Sequence, residues 1–147
     1  VPQIREALEA GKTVLLDRYV YSNIAYQCAK LADEAEADRL RKWIFTTEFS
    51  LFGEPKPDVN IFLDVPIDFV QSNLSKQREG EDRDYLEGAR DIHEASIAFQ
   101  QRVKSMYLRQ AAEDPSLQVV DCSDEQGHML PSECIFAKIK AIVDERA

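Results

Sequence analysis

The stretch LLDRYVYSNIAYQ, Leu15–Gln27, passes from an apolar run straight into an acid, a base, a hydroxyl, an amide and three tyrosines. The run before it, TVLLD (Thr13–Asp17), is short and apolar, which predicts a strand buried on both faces. SNIAYQCAKLAD after it predicts a helix opening at Ser22, a good N-cap residue. A strand that only filled a core would end in a turn signal. This one ends in groups that can hold a ligand.

Upstream, PQIREALEAGK spaces Ile4, Ala7 and Leu8 as a helix, with Pro2 near its start and Gly11 past its end. Downstream, EAEADRLRKWIFTTEFSLFG predicts a longer helix with Leu40, Trp43, Ile44 and Phe45 as its apolar stripe, closed by EPKP. In the part of it from Ala35 to Phe52, Trp43 and Phe49 suit either a core stripe or a partner surface. PDVNIFLDVP predicts a second buried strand, and IDFVQSNLSKQ a helix with Phe69, Val70 and Leu74 inward. REGEDRDYLEGAR is charged, holds two glycines and lacks apolar periodicity, so it predicts a loop. DIHEASIAFQQRVKSMYLRQAAED predicts a long helix with Ile97, Val103, Met106 and Leu108 toward the core. LQVVDCS is a third strand and LPSECIFAKIKAIVDERA a closing amphipathic helix carrying Ile135, Ile139 and Ile142. Helices alternating with short apolar strands predict an α/β fold with a parallel sheet covered on both faces. Ligands bind such sheets outside the carboxyl ends of the strands.

Bulk properties narrow the function. At 147 residues one domain, 1–147, is expected. A net charge of −9 argues against a nucleic-acid polymer as partner, although a few arginines can still form a local phosphate pocket. No apolar run approaches the roughly 20 residues of a membrane span, and the N-terminal residues lack the pattern of a secretory signal. The expected compartment is the cytoplasm or an organelle matrix. Three widely spaced cysteines, Cys28, Cys122 and Cys134, do not form a disulfide framework and are expected to be buried or half-buried. Without a CxxC pair, and with two histidines in all, a zinc site is not expected.

The residues of the opening stretch divide by chemistry. Arg18 offers a bidentate fork to a phosphate. Asp17 can hold magnesium, directly or through water, or orient a phosphoryl acceptor. Ser22 and Tyr26, four apart, share a helix face. Asn23 carries a donor and an acceptor, which suits a base edge. Tyr26 can wall off a sugar. The purely structural alternative makes Ser22 an N-cap, Tyr26 a core residue and Asp17–Arg18 a surface pair. For residues 76–90, with Lys76, Arg78, Arg83 and Arg90, the alternatives are a solvated surface loop and a lid that brings arginines to phosphates.

DRYVYSNIAYQ resembles the DRY signature of thymidylate kinases, which move the γ-phosphoryl of ATP onto dTMP to give dTDP. PKPDVNIFLDVP resembles the family's strand before the lid, and DIHEASIAFQQRV the segment after it. The resemblance covers nearly the whole chain. It implies a three-layer P-loop-kinase-like parallel sheet, ATP with Mg2+ as the phosphoryl donor, nucleotide substrates and a homodimer. It places Asp17 near the metal and reacting phosphates and Arg18 on the dTMP phosphate. Ser22 and Asn23 approach thymine, with Asn23 on the base edge. Tyr26 sits against the sugar and excludes a 2′-hydroxyl, and Gln27 flanks the pocket. Asp91 and Glu94 face the sugar or metal after the lid, and Arg78, Arg83 and Arg90 are candidate lid arginines. His93 stands where many relatives carry tyrosine.

These 147 residues contain no G-x-x-x-x-G-K-[ST] loop, since EAGKT supplies only Gly11 and Lys12 of that pattern. The family's upstream thymine-stacking Phe and its partner Arg are absent too. The resemblance therefore implies the C-terminal two-thirds of the enzyme, lacking the N-terminal strand–P-loop–helix unit, with no phosphoryl transfer by these residues alone. A deoxynucleoside kinase of the same superfamily and a non-catalytic interaction module are the alternatives.

Overall fold

A computed structural model describes residues 2–79 and 96–145, with side chains omitted at 74–79. It divides into two compact units, Val1–Asp58 and Val59–Ala147.

In the first unit, α1 (Pro2–Glu9) is followed by Gly11 at φ 70°. The apolar run at 13–17 forms no strand, and Leu15 is 95% exposed. This corrects the expected TVLLD strand. An extended segment becomes a strand only through a partner's hydrogen-bond ladder, and among the described residues this one has no such pairing. Helix α2 (Val20–Cys28) begins two residues earlier than Ser22, with Tyr19 as an N-cap that supplies no side-chain bond. Ser22 is therefore in the first turn and buried, not the cap. Helix α3 (Glu34–Thr46) is capped by Asp33, which accepts from the amides of Ala35 at 2.7 Å and Glu36 at 3.1 Å. Such a cap contributes about 1 kcal/mol.

The long helix expected through residue 53 changes character after Thr46. Residues Thr47–Leu51 form a π-helical turn, α4. Widening the turn brings Phe49 into the buried set while Trp43, expected in the apolar stripe, is 64% exposed. Ile44 is the buried member of that stripe. Phe45 and Phe49 meet edge to face at 4.9 Å, and Tyr21 reaches Phe45 at 6.4 Å. These rings tie α2, α3 and α4 together.

In the second unit, β1 (Asn60–Asp64) pairs in parallel with β2 (Leu117–Asp121), from Asn60 opposite Leu117 to Asp64 opposite Asp121. Between them run α5 (Ile67–Glu79) and α6 (Ile97–Glu113), and α7 (Ser132–Asp144) follows. Strand alternation sorts the two faces. On one, Val120 and Cys122 pack with Ile135 of α7, joined by Ile61, Val65, Ile139 and Ile142. On the other, Phe62 stacks on Tyr107 of α6 at 4.3 Å. Each face of the pair thus packs against a helix, which fits the apolar runs of both strands, although Leu63 and Val119 are exposed. The fold is mixed α/β with a parallel sheet and helices, as expected.

Two helix positions here differ from expectation. Phe69 and Leu108 are exposed, whereas Phe99 and Val103 are buried on α6. Ser96 caps α6, its Oγ accepting from the Phe99 amide at 3.0 Å. Cys28 and Cys122 are buried, but Cys134 is exposed. No described helix is long and apolar enough to cross a membrane. The backbone remains helical through Glu79, into the first part of the expected lid at 76–90, and residues 80–95 lie outside the described part.

Candidate functional site

Arg18 is the only described residue other than glycine with a left-handed backbone, at φ 68°. That conformation costs an L-residue roughly 1–2 kcal/mol. It sits at the bend between the exposed 13–17 segment and α2. The bend turns its side chain along α2 rather than away from it. Arg18 Nη2 donates to Tyr26 Oη at 2.9 Å, and Cζ lies 4.6 Å from the Tyr26 ring centroid. One tyrosine two turns into the helix therefore meets the guanidinium through both hydroxyl and ring.

The other expected residues of this stretch fall around that pair. Asp17 is exposed beside Arg18. Asn23 and Gln27 are exposed on α2, Tyr26 is half-buried and Ser22 is buried. The buried Ile24, Ala25 and Cys28 anchor the opposite side of the helix. What can be done here chemically is anion capture. Arg18 has five N–H donors, and one is directed at Tyr26. It precedes the N-terminus of α2, where the helix dipole also favours negative charge.

Tyr19, absent from the expected site, supports the bend. Its hydroxyl donates to Pro55 O at 3.3 Å and its ring meets Phe49 edge-on at 6.3 Å. Burial pushes its pKa up to about 12, with the Glu54 carboxylate adding to the effect. Tyr19 is therefore a neutral donor at any working pH. Lys56 Nζ lies 5.1 Å from the Phe45 ring and 5.6 Å from the Phe49 ring. Nothing in EPKP signals that contact, because it depends on the π turn. Arg5 closes the same region by donating to Gly53 O, where Gly53 adopts φ 63°.

The second unit places an acid at the carboxyl end of each strand, Asp64 opposite Asp121. Both are answered internally. Lys104 Nζ is 2.5 Å from Asp64 Oδ1, and Lys138 Nζ donates to Asp121 O at 2.6 Å. The Asp121 carboxylate accepts from Ser123 Oγ and N, which holds its pKa below the usual range. Burial pushes the Cys122 thiol up, so it is an inert core group. Arg83, Arg90, Asp91 and Glu94 lie outside the described residues, and of Arg78 only the helical backbone is described. Among the described residues no three His, Cys, Asp or Glu side chains converge on one point.

Parallel strands packed against helices define a mixed α/β protein. The chain belongs to the thymidylate kinase family, whose family model matches residues 1–129. It is 34% identical over 123 residues to the thymidylate kinase of Marinomonas sp. strain MWYL1, covering 82% of this chain and 50% of that protein. It is 36% identical over 144 residues to that of Leifsonia xyli subsp. xyli, covering 97% of this chain and 59% of the relative. With the Mycobacterium tuberculosis H37Rv thymidylate kinase it shares 37% identity over 100 residues, covering 68% of this chain and 44% of the relative. The chain thus spans about half the length of the curated relatives it matches.

Proposed function

We propose that this chain carries the dTMP-recognising part of a thymidylate kinase, an enzyme that passes the γ-phosphoryl of ATP to dTMP and yields dTDP. The observation that carries the reading is Arg18, turned by its left-handed backbone onto Tyr26 at the start of α2. Family membership supplies the nucleotide class. Arg18 binds the dTMP phosphate, Asn23 the thymine edge with Ser22 close by, and Tyr26 the sugar, with Gln27 at the rim.

Phosphoryl transfer needs alignment and charge neutralisation more than a strong base. Arg78, Arg83 and Arg90 are proposed to bring positive charge to the phosphates from a lid at 76–90, and Asp91 and Glu94 to face the nucleotide beyond it. Mg2+ bound with ATP takes most of its ligands from phosphates and water, so it needs one or two carboxylates from the protein. The exposed Asp17, beside Arg18, fits that requirement. Glu94 is the second candidate. The metal would neutralise phosphate charge. A cytoplasmic homodimer completes the proposal.

The test is calorimetric titration of this chain with dTMP, with the ribonucleotide counterpart, thymidine and ATP as comparisons. Selective binding of dTMP is expected. Equal binding of dTMP and thymidine would show that no phosphate is recognised and would overturn the role of Arg18.

A further inference from the structure

We propose that Tyr26 is a positioning residue for Arg18, fixing the guanidinium as a pre-ordered anion receptor. The proposal deepens the dTMP reading and rests on it for the identity of the anion.

Arg18 is exposed, follows an exposed segment and sits in a strained backbone conformation. A long side chain in that setting samples many rotamers, and ordering it on binding weakens affinity. Tyr26 opposes this at two points. Its hydroxyl accepts from Nη2 at 2.9 Å, which sets direction. Its ring, with the guanidinium carbon 4.6 Å from the centroid, sets the plane. The tyrosine can act as a fixed post because it is half-buried on α2, among the buried Ser22, Ile24, Ala25 and Cys28. A guanidinium held by one N–H keeps others for a phosphate. Core packing alone accounts for the ring of Tyr26. It does not account for a hydroxyl directed at an exposed arginine eight residues earlier.

The hydroxyl and the ring separate by substitution. In the full chain, 15N relaxation of the Arg18 side-chain Nε–Hε group is compared for wild type, Tyr26→Phe and Tyr26→Leu, with Tm measured on each. The expected result is an ordered Arg18 in wild type, looser in Tyr26→Phe and as mobile as a free surface arginine in Tyr26→Leu. Tyr26→Phe is expected to keep the wild-type Tm. It should also weaken dTMP binding about three- to tenfold, the worth of one hydrogen bond, and weaken thymidine binding less, because thymidine has no phosphate for Arg18 to hold. Equal Arg18 mobility in wild type and Tyr26→Phe overturns the proposal, and this readout stands even if Tyr26→Leu does not fold. An ordered Arg18 that loosens in Tyr26→Phe, in a wild-type chain that binds no dTMP, supports the positioning role and sinks the dTMP reading instead.

Discussion

Lys104 Nζ lies 2.5 Å from Asp64 Oδ1 and joins α6 to the carboxyl end of β1. That oxygen is buried and makes no well-aligned hydrogen bond among the described residues, so the ion pair is what compensates its charge. Lys104→Met should leave a part-buried carboxylate unmatched and destabilise the protein by about 1–2 kcal/mol. Lys104→Met with Asp64→Asn should recover part of this, because breaking one side of a pair costs more than replacing both. Chemical denaturation of the two single variants and the double decides it. Strictly additive losses would mean the two residues are not coupled.

Asp38 is held by Lys42 at 2.8 Å and Arg41 at 2.7 Å, one turn further along α3. These bonds lower its pKa to about 2, the Lys42 contribution being the larger. A depressed carboxyl pKa stabilises the fold above the unfolded value near 3.8 and loses that contribution as pH falls toward 2. Asp38→Asn should therefore flatten the stability profile between pH 4 and 2 and change little in its shape above pH 5. Thermal melts across that range would show it, and an unchanged acid limb would remove the ion pairs from the account.

Phe99 is 1% exposed, whereas Phe136 on α7 is 65% exposed. Removing a buried phenyl ring costs about 3–5 kcal/mol through lost transfer energy and the cavity left behind. Phe99→Ala should approach that value, and Phe136→Ser should stay within about 0.5 kcal/mol of wild type. A large loss in Phe136→Ser would reveal a packing partner for that face.

At Arg18 the backbone and side chain can be tested apart. Both Arg18→Ala and Arg18→Gly delete the guanidinium, and both are expected to lose dTMP binding. Only glycine relaxes at φ 68°. Arg18→Gly should therefore be more stable than Arg18→Ala by about 1 kcal/mol. Equal melting temperatures would indicate that the bend readjusts when the arginine is removed.

Local sequence by itself determined α1, both strands of the sheet, the long helix ending at Glu113 and the closing helix. In each, the apolar spacing agrees with turn or capping residues such as Gly11. It also set out Asp17, Arg18, Ser22, Asn23 and Tyr26 as one chemical cluster. Only tertiary structure decided whether TVLLD is a strand, because strand formation depends on a partner elsewhere in the chain. Tertiary structure also turned Trp43, Phe69 and Leu108 outward: helical spacing gives a stripe its period, but the neighbouring elements choose which edge is covered. The π turn at Thr47–Leu51, which holds the buried Phe49, leaves no mark in composition. The contact of Arg18 with Tyr26 depends on one left-handed residue redirecting a side chain. Sequence could name both partners, but a single φ angle joined them.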